Sequence, residues 1–143
     1  MPSPRVDAEL LAAHLLYGGS RSRLQHAALM GERLTPEQIA EYEALVARRS
    51  CREPLQHITG SAPFYRLELA VGPGVFVPRP ETELLVEEAL KVLAPRTESA
   101  TGQLRIVDLC TGSGAIAAAI KSELPNAQVL SLIHISEPTR PER

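Results

Sequence analysis

The chain has 143 residues, and its 15 basic and 17 acidic side chains leave a formal charge of −2. A charge so close to zero excludes proteins that bind nucleic acid or anionic membranes through their overall charge. The apolar fraction of 44% and the charged fraction of 22% are typical of a globular protein with one domain or two small ones. Two cysteines indicate no disulfide framework, so we expect a reducing cytoplasm, and no apolar run is long enough to cross a bilayer.

The first fifty residues have the apolar spacing of helices. Leucines and a valine recur at helical intervals over residues 4–17, and Gly18 and Gly19 end that segment. A second helix is predicted over residues 21–30, ending at Gly31. His14 and His26 have no acids or cysteines at ligand spacing, so we interpret both as residues of a helix surface or of the edge of the core.

A third helix has a strong start signal at Thr35. Thr35 can cap the helix, Pro36 suits its first position, and Gln38 can complete a capping box. Its predicted buried stripe is Ile39, Tyr42, Leu45 and Val46. Residues 1–50 are therefore predicted to form a helical bundle that packs within itself and carries no catalytic group.

Beyond Cys51 the pattern changes to that of extended chain. Residues 53–60 are predicted to be extended, and residues 64–71 alternate as a half-buried strand does. Gly72, Pro73 and Gly74 then favour a turn back into residues 75–77, which gives a β-hairpin.

A proline-rich segment precedes the next helix. Residues 78–83 read Pro-Arg-Pro-Glu-Thr-Glu, in which the prolines favour an extended approach and the acids suit a helix N-terminus. The predicted apolar stripe of the helix is Leu84, Leu85, Ala89, Val92 and Leu93, and the helix is predicted to end at Ala94 and Pro95. A polar linker follows over residues 96–102.

Residues 104–124 form the most informative stretch, a predicted strand, glycine loop and helix. The apolar strand includes Asp108 near its end, and Gly112 and Gly114 would allow a sharp turn and a close approach of a ligand. The amide groups at the start of the helix favour an anionic group. With residues 129–133 as its single partner strand, we expect Ile106 and Val107 to be largely exposed.

The glycine loop allows three interpretations. Gly112, Gly114 and Ala117 fit the G-x-G-x-x-A pattern of dinucleotide-binding folds. Residues 107–114 resemble more closely the first motif of class I S-adenosylmethionine methyltransferases, in which an acid near the turn faces the methionine end of the cofactor. A tight turn without a ligand is the third interpretation.

Three segments together resemble one family. Residues 53–60, 76–83 and 108–114, in this order and spacing, are similar to the peptide chain release factor glutamine methyltransferases, the HemK/PrmC family. The Pro-Arg-Pro-Glu-Thr-Glu element is the specific one, because many methyltransferases share the glycine loop. The resemblance runs from about residue 7 to residue 129.

The resemblance implies an α/β fold with three parts. A helical domain at residues 1–50 would bind the release factor, residues 51–78 would be a β-hairpin linker, and residues 79–130 would begin a class I, Rossmann-like methyltransferase domain. The family methylates the side-chain amide of the glutamine in the Gly-Gly-Gln motif of release factors, using S-adenosylmethionine. Carried over by position, the residues that would bind or flank the cofactor are Asp108, Cys110, Thr111, Gly112, Ser113, Gly114, Arg79, Pro80 and Glu81. No metal and no nucleic acid is implied, and we expect a monomer.

The chain departs from the family in four places. It has no Asn-Pro-Pro-Tyr motif, which in the family orients the amide, so no catalytic residue is assigned. Cys110 replaces a glycine, which is tolerable if its φ is negative, and Ile133 stands where an acid would hold the ribose. Residues 131–143 do not resemble the family, and we expect a truncated chain with a foreign tail. Two alternatives to a truncated enzyme are a non-catalytic module that binds release factors and a fragment of another nucleotide-binding protein.

Overall fold

The computed structural model describes residues 3–99 and 104–133, with the backbone alone for residues 97–99. The chain divides into two compact units, Met1–Ser61 and Ala62–Arg143. The first is helical and the second combines helices with short strands, so the predicted α/β class is confirmed. No described helix combines the length and the apolar character needed to span a membrane.

The helical unit contains α1 (Pro4–Tyr17), α2 (Arg21–Leu29), α3 (Pro36–Ser50) and α4 (Leu55–Thr59). Helix α1 ends where predicted, because Gly18 adopts φ 59° and stops it in the left-handed conformation. The predicted capping box is confirmed: Thr35 accepts the Gln38 N–H and donates its own N–H to Gln38 Oε1 over 2.9 Å. Helix starts and stops are therefore specified locally in this unit.

Helix α1 is the centre of the helical unit. Leu11 and Ala13 are fully buried, and both α2 and α3 pack against this helix. The Tyr42 hydroxyl on α3 donates to the Ala8 carbonyl over 3.3 Å, which joins two helices that are far apart in the sequence. The core of the helical unit is therefore built around α1.

The predicted buried stripe of α3 is wrong in part. Tyr42 and Leu45 are half-buried, but Ile39 is 44% exposed and Val46 is 38% exposed. Helix α3 has no fully buried residue, because it is covered on one flank by α1 and α4 and is open on the other. This exposure counts against a bundle that is closed on itself.

Residues 53–60 were predicted to be extended, but the structure shows that they contain the short helix α4. Pro54 precedes the helix with φ −56°, which is already close to the helical value, and the Thr59 hydroxyl donates back to the Leu55 carbonyl over 3.2 Å. Gly60 ends the helix at φ 78°. A proline followed six residues later by a glycine therefore encloses a short helix.

The hairpin lies earlier in the sequence than predicted. Strand β1 (Ser61–Phe64) and strand β2 (Leu67–Ala70) pair across a two-residue turn, in which Tyr65 has φ 56°. Residues 75–77, predicted as a strand, are not in a strand of the described chain. The turn falls at Tyr65 because Phe64 is buried in the core and the Tyr65 N–H donates to the Glu83 carboxylate over 3.0 Å.

Helix α5 (Glu83–Ser99) follows a 3₁₀ turn at Pro80–Thr82. Its predicted stripe is mostly wrong, because Leu84, Leu85 and Val92 are more than half exposed while Val86 is fully buried. The face that packs is Val86, Ala89, Leu90 and Leu93. The helix also continues through Pro95, because the proline φ is itself helical and costs one hydrogen bond near the end of the helix.

The remaining elements are β3 (Arg105–Leu109), α6 (Ala115–Glu123) and β4 (Gln128–Leu132). The two strands are parallel, with Ile106 opposite Val129 and Val107 opposite Leu130. Ile106 packs on the core and is not largely exposed, contrary to prediction, because it faces α6; Val107 on the opposite face is 53% exposed, as predicted. The core of this unit is Phe64, Val86, Ala115, Ala119 and Ile120.

Candidate functional site

The loop between β3 and α6 has an unusual backbone. Cys110, Gly112 and Gly114 adopt φ values of 60°, 58° and 78°, in the left-handed region. For the glycines this conformation carries little strain, but for Cys110 it costs about 1–2 kcal/mol. The condition under which a cysteine was expected to be tolerable, a negative φ, is therefore not met.

Thr111 connects the loop to the ends of both strands. Its hydroxyl donates to Asp108 Oδ2 over 2.6 Å, and its N–H donates to the Leu132 carbonyl over 3.1 Å. Its carbonyl accepts the Gly114 N–H over 3.0 Å. The structure thus brings Asp108, Thr111 and Gly114 together, as the strand, loop and helix pattern predicts.

Helix α6 begins at the loop with no side chain capping it. Gly114 is the N-cap, and the first intrahelical bond runs from the Ala118 N–H to the Gly114 carbonyl. Between the Gly114 amide, which donates to Thr111, and that of Ala118, the amides of residues 115–117 have no intrahelical acceptor, so they are available to an anion. A Cβ built on Gly112 or Gly114 would meet no atom within 4 Å. Together, free donors and open space suit a ligand carboxylate at this end of the helix.

The Pro-Arg-Pro-Glu segment forms a separate turn. Arg79 is extended and its guanidinium lies 5.8 Å from the centre of the Phe76 ring, and Pro80 and Glu81 are exposed in the 3₁₀ turn. Within the described residues, no hydrogen bond, ion pair or ring contact joins these three residues to residues 108–114. Their predicted place beside the cofactor stays a prediction.

The sequence analysis did not predict the hydrogen bonds that two polar side chains of this unit, Glu83 and Lys121, make. Glu83 accepts the Tyr65 N–H and so fixes the hairpin turn to the start of α5. Lys121 donates to the Pro125 and Ala127 carbonyls, each over 2.8 Å, and so provides a hydrogen-bond donor for two backbone carbonyls that follow α6. The lysine near the end of a helix is a signal that sequence could have provided, since cations favour that end. Both residues have structural partners and neither lies in the loop.

A cavity of about 570 Å³ lies beside β3, β4 and α6, but it is not at the glycine loop. It is lined by residues from the starts and middles of the strands, including Arg105 and Gln128, and by none of residues 108–114. Ligands of open α/β sheets bind outside the carboxyl ends of the strands. We therefore assign this cavity no cofactor.

At the position where the family resemblance implies an acid that holds the ribose of the cofactor, this chain has Ile133. Ile133 is 72% exposed and carries no acceptor for a hydroxyl. Ser131 and Leu132 pair with β3, and residues 134–143 lie outside the described residues. The expectation of a foreign tail from residue 131 stays a prediction. In the described ranges no three histidine, cysteine or acidic side chains cluster as metal ligands would.

The helical unit is similar to a known protein domain. A family model described as the PrmC N-terminal domain matches residues 1–60. This match ends one residue before the boundary between the two compact units at Ser61. The helical unit therefore corresponds to a recognised domain.

Curated relatives extend the similarity across the glycine loop. The chain is 49% identical over 130 residues to the release factor glutamine methyltransferase of Mycolicibacterium smegmatis. This alignment covers 91% of the chain and 42% of the relative. The chain is 52% identical over 132 residues to that of Streptomyces coelicolor, covering 90% and 42%, and 42% identical over 130 residues to that of Escherichia coli, covering 91% and 44%. The chain spans less than half the length of these relatives. Residues 1–60 therefore match the PrmC N-terminal domain, and about nine tenths of the chain is similar to part of the release factor glutamine methyltransferases.

Proposed function

We propose that residues 104–117 hold the methionine end of S-adenosylmethionine. The observation that carries this proposal is the loop itself: Gly112 and Gly114 turn with positive φ toward open space, beside Asp108 at the end of β3. The methionine end has a carboxylate, which suits the free amides of α6, and an ammonium group, which suits the Asp108 carboxylate. Cys110, Thr111 and Ser113 complete the loop, and Arg79, Pro80 and Glu81 flank the cofactor.

We further propose that the partner is a peptide chain release factor, as the names of the relatives indicate for those proteins. The helical domain would bind this partner, residues 51–78 would link the domains, and residues 79–130 would begin the methyltransferase domain. Cys51 and Cys110 are both free and exposed, which suits a reducing cytoplasm. We expect the protein to act as a monomer and to bind no nucleic acid directly.

The reaction in question is methyl transfer to the side-chain amide of a glutamine. An amide nitrogen is a poor nucleophile because its lone pair is delocalised, so an enzyme must orient it and stabilise the developing charge. S-adenosylmethionine supplies the methyl group on its sulfonium. The 143 residues contain no Asn-Pro-Pro-Tyr motif and no acid at position 133. We therefore propose that this polypeptide, taken alone, does not catalyse the transfer.

The experiment joins residues 1–129 to the downstream sequence of the M. smegmatis relative and measures methylation of a release factor fragment. The chimera should methylate it, and Gly112→Val should abolish both methylation and S-adenosylmethionine binding, because the side chain occupies the ligand space at φ 58°. Gly74→Val is the matched control, since Gly74 has φ 83° and equally open surroundings outside the loop. Unchanged cofactor affinity in the Gly112→Val chimera would refute the placement of the site.

The 143-residue chain is the second arm of the experiment. It should show no methylation and should bind S-adenosylmethionine weakly or not at all, because the ribose-holding acid is missing and β4 is the one strand that pairs with β3 in the described chain. Isothermal titration calorimetry measures the affinity. A micromolar dissociation constant, or detectable methylation, would contradict this part of the proposal.

A further inference from the structure

Thr111 is the residue through which the loop, β3 and β4 are joined. Its hydroxyl donates to Asp108 near the end of β3, and its N–H donates to the carbonyl of Leu132 at the end of β4. A weaker contact of 3.2 Å links its hydroxyl oxygen to Ser131 Oγ. Since Asp108 and Ser131 are paired positions of the two strands, all of these contacts converge at one end of the sheet.

The hydrogen bond to Asp108 is the strongest of these contacts. It is short, at 2.6 Å, and its acceptor is a half-buried carboxylate, and hydrogen bonds to charged groups are worth more than those between neutral groups. In the described ranges Thr111 is the one side chain that donates to Asp108. Only Oδ2 is bound by it, so Oδ1 keeps its capacity to accept from a cationic ligand.

The backbone of Thr111 has a second role. The residue lies between Cys110 and Gly112, which both have positive φ, whereas Thr111 does not. Its N–H and C=O are both satisfied, by Leu132 and Gly114, so its ordinary conformation is held between two left-handed residues. The side chain and the backbone of Thr111 therefore hold the carboxylate and the loop in one geometry.

We propose that Thr111 is a positioning residue for the cofactor: it does not itself bind S-adenosylmethionine but orients Asp108 toward the ammonium group of that molecule. This inference rests on the proposed function of the loop. It differs from the expectation drawn from the family, in which Thr111 is simply one of the loop residues that bind the cofactor. The contribution of Thr111 depends on its hydroxyl and requires Asp108.

The test measures S-adenosylmethionine affinity by calorimetry in the chimera of residues 1–129 with the M. smegmatis downstream sequence. Thr111→Val keeps the branched shape and removes the hydroxyl, and should raise the dissociation constant at least about tenfold. Thr111→Ser keeps the hydroxyl and should stay within about twofold of the parent. Thr59→Val is the matched control in the helical unit, where the hydroxyl donates to the Leu55 carbonyl, and should leave the affinity unchanged.

A double-mutant cycle separates positioning from mere folding. If Thr111 acts through Asp108, Thr111→Val should weaken binding no further in an Asp108→Asn background, and thermal unfolding by circular dichroism should show that each variant is folded. The inference is overturned if Thr111→Val binds as tightly as the parent, if serine does not rescue, or if the two substitutions are additive. A parent chimera that binds no cofactor would overturn the proposed function and this inference with it.

Discussion

Arg49 on α3 donates its Nε–H to Asp7 Oδ2 on α1 over 2.8 Å, and its Nη1 donates to the Glu53 carbonyl over 3.1 Å. The two charged side chains are 27% and 17% exposed, so water screens this pair only in part. The pair joins the first and third helices across 42 positions of sequence. It therefore joins α3 to α1 on the flank that α1 covers, in a helix that has no fully buried apolar residue.

Arg49→Ala should lower the free energy of unfolding of the helical unit by about 1–2 kcal/mol, because it leaves the partly buried Asp7 carboxylate without its partner. Arg48→Ala is the matched control, since the neighbouring arginine pairs with Glu53 while 46% exposed, and water screening of that pair should make its loss clearly smaller. Urea denaturation followed by circular dichroism measures both. Equal losses in the two variants would contradict a special role for Arg49.

The helical unit should lose stability in acid through Glu9. Hydrogen bonds from Arg21 and then Arg5 hold the pKa of this carboxyl below its usual range. A lowered folded-state pKa contributes stability that is present above the ordinary glutamate value of about 4.3 and is lost as the pH falls through the folded-state pKa. The urea midpoint should therefore fall between pH 6 and about pH 3.

Glu9→Gln should reduce this dependence on pH, because an amide does not titrate. Glu43→Gln is the control: Glu43 is exposed on α3 and makes no hydrogen bond or ion pair in the part of the chain that the structure describes. Urea midpoints at several pH values measure the effect. If Glu9→Gln and the parent lose stability in parallel as the pH falls, the Glu9 contribution is refuted.

Local signals predicted the end of α1 and the start of α3, although they missed α4. The capping box at Thr35 and the left-handed stop at Gly18 involve residues within a few positions of one another, so the sequence specifies them without tertiary contacts. The glycine loop was predictable for the same reason, since the strand, Gly112, Gly114 and the alanine-rich helix are contiguous. The similarity to release factor glutamine methyltransferases was predictable because the motifs that carry it are contiguous too.

The errors concern properties that depend on distant partners. Helix α5 buries Val86 instead of Leu84 and Leu85, because the face that packs is chosen by Phe64 and α6, and the apolar residues of α5 lie around much of its circumference. The hairpin turn at Tyr65 depends on Glu83, which is 18 positions away. The hydrogen bond from Thr111 to Asp108 could not be predicted either, because serine or threonine in such a loop has several possible acceptors.

Replacing Cys110 by glycine should stabilise the second unit. The cysteine has φ 60°, and relief of its strain exceeds the entropy that glycine adds to the unfolded chain, for a net gain of about 0.5–1 kcal/mol. Cys51→Gly is the control, because Cys51 has φ −76° at the end of α3 and gains nothing from glycine, so that variant should be neutral or less stable. Hydrogen exchange at the buried Ala119 amide measures the gain, and slower exchange is expected only for Cys110→Gly. A faster rate in that variant would show that Cys110 carries no strain.

The outer face of the β3 and β4 pair should cause this 143-residue chain to self-associate. Leu109 and Val107 lie on one face with their partners Leu132 and Leu130, by register, and all four are exposed, Leu109 by 69%. A contiguous apolar surface on a two-stranded sheet with open edges favours association between chains. Light scattering should therefore show mass rising with protein concentration.

Threonine substitutions at Leu109 and Leu130 test the origin of that association. Threonine keeps the preference for strands and removes most of the apolar surface, so the double variant should stay monomeric to severalfold higher concentration. The matched control is Leu84→Gln with Leu85→Gln, which removes two equally exposed leucines from α5. Because those leucines belong to a helix whose backbone is satisfied internally, the control should associate as the parent does. If the control lowers association as much as the sheet variant, exposed leucine in general, and not the sheet face, is the cause.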